Sequence, residues 1–265
     1  MTTLAIENPE NTFNRVPKVT VDFWLIKLMA VTVGETAADF LNADLGLGLP
    51  TTSWIMTGFL AIALVVQFSK KKYVPWIYWL SVVLVSIVGT LITDYLVDDK
   101  GISLQSTTIF FSIALALTFA VWYKFENSLS IHTIFTTRRE IFYWMAILFT
   151  FALGTAAGDL AAEGLALGYL QAGLMYGFII GIIAIAFYVF KLNGILAFWL
   201  AYILTRPMGA SFGDLLSQPV ANGGLGFGTV ITSALFLSAI VAVIMYMTIS
   251  RAGLETAAEV VWTDD

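Results

Sequence analysis

Long apolar stretches alternate with short polar ones along almost the whole chain, and this alternation predicts a bundle of membrane-spanning helices. A spanning helix needs about 20 mainly apolar residues to cross the hydrocarbon core of a bilayer. Eight stretches are long enough, at approximately 21–42, 51–69, 75–97, 106–123, 141–162, 168–190, 194–216 and 228–250. The predicted fold class is an all-α integral membrane protein whose eight transmembrane helices form one domain, 21–250, between an N-terminal tail, 1–20, and an acidic C-terminal tail, 251–265.

The composition agrees with a membrane protein and excludes several kinds of site. Of the 265 residues, 59% are apolar and 12% are charged, whereas soluble domains contain about 25% charged residues; the mean hydropathy is +0.87. The chain has no cysteine, which excludes disulfides and thiolate metal sites, and no cofactor is predicted. No basic patch is interleaved with aromatic residues, so the expected partner is the lipid bilayer and not nucleic acid.

The basic residues outside the apolar stretches predict the orientation. Ten of them fall on the side of the bundle that carries both termini, and only Lys100 falls on the other side. The ten are Arg15, Lys18, Lys70, Lys71, Lys72, Lys124, Arg138, Arg139, Lys191 and Arg251. Because cytoplasmic connections are enriched in lysine and arginine, both tails are expected in the cytoplasm.

An internal repeat runs through the first, third, fifth and seventh stretches. Each begins with an aromatic–tryptophan pair, has a glycine ten residues after the tryptophan and an aspartate five residues after the glycine. The positions are Trp24, Gly34 and Asp39; Trp79, Gly89 and Asp94; Trp144, Gly154 and Asp159; Trp199, Gly209 and Asp214. The pattern predicts four tandem two-helix repeats, at approximately 21–73, 74–124, 140–191 and 194–250, all parallel and related by pseudo-symmetry about the membrane normal.

The fourfold aromatic–tryptophan, glycine and aspartate pattern resembles a bacterial "membrane-anchored protein" family built from tandem copies of a repeat of unknown function. The resemblance covers roughly residues 20–250, since both the register and the copy number match. It implies a multi-pass protein of the bacterial inner membrane. It implies no activity, so a function has to be argued from the residues.

The repeated glycines and tryptophans are interpreted as structural. Small residues at four-residue spacing, such as Ala30, Gly34 and Ala38, allow helix backbones to approach closely in lipid. The tryptophans lie where each odd-numbered helix begins, which fits anchoring in the interfacial belt or packing between repeats; contact with a ligand is the alternative.

The repeated aspartates are the candidate functional residues. Asp39, Asp94, Asp159 and Asp214 recur at one depth, and one helical turn before three of them come Glu35, Thr90 and Thr155. Oxygen ligands of this kind suit a proton or a hard cation, so the pattern predicts a shared cation or proton site whose ion is unknown. The alternative is a hydrogen-bond network that only holds helices together.

Two basic residues lie within the predicted helices. Arg206 is expected to pair with an acid inside the bundle, with Asp214 or Glu35 as candidates by depth, either as a structural lock or as a moving counter-charge. Lys27 lies nearer the cytoplasmic interface, and we expect its side chain to extend into the interfacial water.

Three classes of function remain open from the sequence. The first is a transporter or channel for a small cation or protons; the second is a structural or envelope-homeostasis protein without a substrate. The third, an intramembrane enzyme, is disfavoured because the chain has no nucleophile–base arrangement, phosphate-binding loop or metal-binding histidine pair. A non-enzymatic transporter is therefore expected, and a homo-oligomer is left open.

Overall fold

The structure is a computed structural model that describes residues 12–251 and 253–260. Its long helices are α1 (Val21–Asp39), α2 (Leu49–Phe68), α3 (Pro75–Asp94), α4 (Leu104–Glu126), α5 (Thr137–Asp159), α6 (Tyr169–Tyr188), α7 (Gly194–Ser217) and α8 (Thr229–Ser250). A short α9 (Ala257–Val260) follows, and the described residues contain no strand beyond one isolated bridge between Phe13 and Thr256. The eight predicted stretches thus correspond one to one with the eight long helices.

Seven of the eight long helices are long and apolar enough to cross a membrane. The exception is α1, which carries four charged residues, Asp22, Lys27, Glu35 and Asp39. Lys27 and Glu35 are buried against other helices. The polar residues of α1 therefore face the protein interior, which is where charged side chains of a membrane helix are normally found.

The odd-numbered helices form a closed inner ring. α1 contacts α3, α3 contacts α5, α5 contacts α7, and α7 returns to contact α1. Each even-numbered helix packs outside this ring on the odd helix of the next repeat: α2 on α3, α4 on α5, α6 on α7 and α8 on α1. Because the last repeat contacts the first in the same way as each repeat contacts the next, the four copies close into a ring.

The repeated glycines are the contact points of this ring. A Cβ atom added to Gly34 would overlap Ser86 of α3, one added to Gly89 would lie 2.8 Å from Phe151 Cβ of α5, and those at Gly154 and Gly209 would overlap Arg206 of α7 and Val31 of α1. Each residue contacted lies seven positions after the tryptophan of its own repeat. The packing role predicted for the glycines therefore has a specific partner, the following repeat.

The even-numbered helices expose most of their surface. In α4, for example, the buried residues Thr107, Phe111, Leu115, Thr118 and Trp122 form one stripe at helical spacing, and large apolar side chains elsewhere on the helix are exposed. Such a surface is typical of helices whose outer faces contact lipid.

The repeated tryptophans pack inside the bundle. Trp79, Trp144 and Trp199 are almost fully buried, and Trp24 is partly buried. Trp79 Nε1 donates to the Tyr73 hydroxyl and Trp199 Nε1 to the Leu129 carbonyl, both at 2.9 Å. Of the interpretations offered by the sequence, packing between repeats is the one that the structure supports.

The two ends of the bundle differ in construction. At the distal end, where α1, α3 and α5 finish, the chain continues from the repeat aspartates into single π-helical turns, Phe40–Asp44, Tyr95–Asp99 and Leu160–Gly164. The fourth repeat lacks this turn, because α7 continues to Ser217 and leads into a short 3₁₀ turn, Val220–Asn222. π-helical turns are rare and occur often at functional sites.

The terminal end, opposite, carries the described parts of both tails. Asn14 Nδ2 donates to the Ile131 carbonyl (2.9 Å) and to Glu255 (3.2 Å), and His132 Nδ1 lies 2.9 Å from Glu255. Arg15 forms an ion pair of 2.8 Å with the buried Glu140. Residues 12–20 and 253–260 are thus docked segments and not free tails, while residues 1–11, 252 and 261–265 lie outside the described part.

Candidate functional site

The four repeat aspartates line one cavity at the distal end. Its volume is ≈ 160 Å³, and Glu35 lines it together with Asp39, Asp94, Asp159 and Asp214. Asp39, Asp94 and Asp159 are the last residues of α1, α3 and α5, and Asp214 lies three residues before the end of α7. The ring therefore brings all four aspartates to the same depth. The cavity has room for several water molecules.

The aspartate side chains have few protein partners. Asp39 accepts a hydrogen bond of 3.2 Å from Gln218 Nε2. Within residues 12–251 and 253–260, the carboxylates of Asp94, Asp159 and Asp214 accept no hydrogen bond from the protein and form no ion pair, although Asp214 is only 8% exposed. Their acceptor capacity is thus directed at the cavity.

Five further polar residues line the cavity, and none of them was among the site residues predicted from the sequence. These lining residues are Asn42, Asp98, Glu163, Tyr169 and Gln218. Asp98, Glu163 and Gln218 each lie four positions after a repeat aspartate, a spacing that places two side chains on one face of a helix. The sequence could have indicated these three residues by their i+4 spacing from the aspartates; Asn42 and Tyr169 do not have this spacing.

Arg206 is connected to the cavity through Glu35, which lines it. Its side chain is fully buried; Nη1 contacts Glu35 Oε2 at 3.0 Å, and Nη2 donates to Thr155 Oγ1 at 2.8 Å and to Thr90 Oγ1. Thr90 Oγ1 also donates to Glu35 Oε2 at 3.3 Å. Of the two acids that the sequence offered as partners, the structure selects Glu35, while Thr90 and Thr155 bind the guanidinium and do not line the cavity.

Lys27 does not extend to the interface as expected. Its side chain is fully buried, and Nζ donates to the Tyr202 carbonyl at 2.8 Å and to Thr205 Oγ1. Nζ also lies 4.3 Å from the centroid of the Tyr202 ring, a cation–π geometry. The expectation was wrong because the contact between α1 and α7 directs this face of α1 towards the ring interior.

The cavity gathers carboxylates without forming a compact metal centre. Among the residues that the structure describes, no three acidic or histidine side chains are grouped closely enough to hold one metal ion. The arrangement suits protons or a hydrated cation, because carboxylates gathered in one cavity repel one another and a bound positive charge relieves that repulsion.

Together these features define a helical repeat protein whose four copies close into a ring around an acidic cavity. The family described as "Repeat of Unknown Function (DUF347)" matches four tandem stretches of the chain, residues 23–73, 77–128, 142–193 and 197–252. These cover well over half of the sequence, and the chain belongs to this family. The predicted four-copy resemblance is therefore confirmed. No curated protein and no solved structure matches the chain.

Proposed function

We propose that this protein is a membrane transporter or channel that moves protons or a small hydrated cation, with the distal cavity as the binding site. The observation that carries the proposal is the convergence of Asp39, Asp94, Asp159, Asp214 and Glu35 on one cavity. Ionisable residues in membrane helices are expensive and commonly mark ion or proton pathways. The proposal includes no chemical transformation and therefore no enzymatic activity.

The lack of protein partners for three of the aspartates favours binding over a structural role. If the aspartates only held helices together, each would accept hydrogen bonds from a neighbouring helix. Asp39 does so through Gln218, but Asp94, Asp159 and Asp214 do not within the described residues. The structural or envelope-homeostasis alternative therefore accounts for Asp39 and leaves the other three unexplained.

The proposal includes the location of the protein. The apolar helices and the exposed apolar surfaces of α2, α4, α6 and α8 support a bundle of eight membrane-spanning helices arranged as parallel repeats. In this bundle the charged residues Lys27 and Glu35 of α1 are buried. The distribution of basic residues supports cytoplasmic termini and a distal cavity that faces away from the cytoplasm. The family resemblance supports the bacterial inner membrane.

Liposome flux measurements test the proposed function. In vesicles that contain the purified protein, an imposed proton or alkali-cation gradient should dissipate faster than in protein-free vesicles. Asp94→Asn and Asp159→Asn should abolish this flux and leave thermal unfolding almost unchanged, because asparagine keeps the shape of the side chain and removes its charge.

Asp99→Asn is the matched control, since Asp99 is exposed, pairs with Lys100 at 2.9 Å and does not line the cavity. Its flux should equal that of the wild type. A wild-type protein that moves neither protons nor any alkali cation, with asparagine variants that change only stability, would favour the structural alternative.

A further inference from the structure

Below the cavity, the guanidinium of Arg206 in the fourth repeat is surrounded by three oxygen-bearing side chains, one from each of the other three repeats. Glu35, Thr90 and Thr155 occupy the same position in their repeats, eleven residues after the tryptophan. Arg206 belongs to α7, yet it contacts all three of these side chains. A group that reaches three other members of a closed ring lies near the centre of that ring.

Glu35 links this inner cluster to the cavity. One carboxylate oxygen, Oε2, accepts from both Arg206 and Thr90, while Oε1 has no hydrogen-bond partner among the described residues and the side chain lines the cavity. A cation that enters from the cavity therefore meets Oε1 of a carboxylate whose Oε2 is already bound to the Arg206 guanidinium.

We propose that Glu35, Thr90 and Thr155 form an inner cation site and that Arg206 is a tethered cation that occupies it and competes with a free one. The inference rests on the proposed function for its role in transport, but the existence of the site is a separate question. In the structure the guanidinium contacts all three side chains and so fills the site.

The binding of Arg206 is incomplete in a way that fits a displaceable group. Its Nε atom is buried and has no hydrogen-bond partner in the part of the chain that the structure describes, and an unsatisfied buried donor is unfavourable. The same side chain lies with Cζ 5.5 Å from the centroid of the Phe151 ring. That ring offers a second, weaker place for the positive charge when a free cation takes Glu35.

The first test asks whether the vacated site binds a free cation, and it does not require transport. In Arg206→Ala, low millimolar guanidinium or K⁺ should raise the temperature of thermal unfolding in detergent relative to choline at equal ionic strength. The wild type, whose inner site is filled, should show only the smaller rise that cation binding in the distal cavity produces. The matched control is Glu35→Gln/Arg206→Ala, which removes both charges of the buried pair and should show no larger rise than the wild type.

A cation-dependent rise in the unfolding temperature of Arg206→Ala that is no larger than that of the wild type would overturn the inner site. A rise of equal size in the double variant would also overturn it, because the cation would then be bound elsewhere.

The second test uses Arg206→Gln, which keeps a long polar side chain and so fills most of the space that an alanine would leave empty. If Arg206 competes with the transported ion, this variant should raise proton or K⁺ flux in liposomes by about tenfold, which corresponds to about 1.4 kcal/mol. A folded Arg206→Gln protein with flux equal to or below that of the wild type contradicts competition. Absence of wild-type flux would count against the proposed function, whereas the unfolding experiment would still decide the inner site.

Discussion

Charged residues inside the ring fall into two groups that the repeat separates. The aspartates occur in all four copies and form the symmetric cavity, whereas Lys27, Glu35 and Arg206 each occur in one copy only. All three single residues lie at the junction between the first and last repeats, where Lys27 bonds to α7 and Glu35 pairs with Arg206. The four repeated aspartates thus line the cavity together with Glu35, and Lys27 and Arg206 place positive charge in the interior behind it.

The glycines of the ring give a residue-scale prediction. Gly89→Ala should lower the stability of the protein by about 1–3 kcal/mol, because overpacking a close contact displaces its neighbours. The added methyl group would lie 2.8 Å from Phe151 Cβ and 3.1 Å from the Ala152 backbone nitrogen, and neither can move away easily. Thermal or denaturant unfolding in detergent measures the change.

Gly58→Ala and Gly181→Ala are the matched controls, since an added Cβ at either position meets no atom of the described residues within 4 Å. Both should be neutral or slightly stabilising, because alanine has the higher helix propensity. Equal destabilisation of Gly89→Ala and the controls would mean that the ring contact is not close.

At the scale of elements, the docked terminal segments hold the terminal end together. Residues 253–260 place Glu255, which is 2% exposed, against Asn14 and His132. The backbone of the same segment pairs with the N-terminal segment through the Asn14 amide and the Glu255 carbonyl, at 2.9 Å. The two segments therefore depend on each other.

Removal of residues 252–265 should destabilise the protein by about 1–3 kcal/mol. The reason is that the buried Asn14 would lose two acceptors, the Glu255 carbonyl for its backbone N–H and the Glu255 carboxylate for its side chain. The measurement is again thermal unfolding in detergent. Removal of residues 261–265 alone keeps the Glu255 contacts and serves as the control. A protein that unfolds at the same temperature with either truncation would show that the docked segment adds nothing to stability.

At the scale of the whole molecule, the ring gives the bundle two distinct faces, and their orientation in the membrane can be tested. The native chain has no cysteine, so single cysteines report cleanly. Lys71→Cys marks the terminal end and Ala221→Cys marks the distal end, and both positions are exposed. In spheroplasts, an impermeant thiol reagent should label Ala221→Cys only, and Lys71→Cys should react only after lysis. The reverse pattern would invert the proposed orientation.

The sequence by itself determined the number of helices and the repeat. Helix length and apolar content are local properties, and the tryptophan, glycine and aspartate spacing fixes which positions in the four copies are equivalent. From equivalence and depth it also followed that Asp39, Asp94, Asp159 and Asp214 lie at one level, so most of the acidic cavity was within reach of sequence reasoning.

Only the tertiary structure decided which helix packs on which, and where the charged residues that occur in one repeat only are directed. Helices that are apolar on nearly all sides carry little information about their rotation, so the sequence could not show that each even helix packs on the next repeat. That Lys27 faces the interior depends on the contact between α1 and α7. The choice of Glu35 as the partner of Arg206 likewise depends on ring closure, since these residues are 171 positions apart in the chain. A contact between the first and last repeats is a property of the closed ring, and no local pattern specifies it.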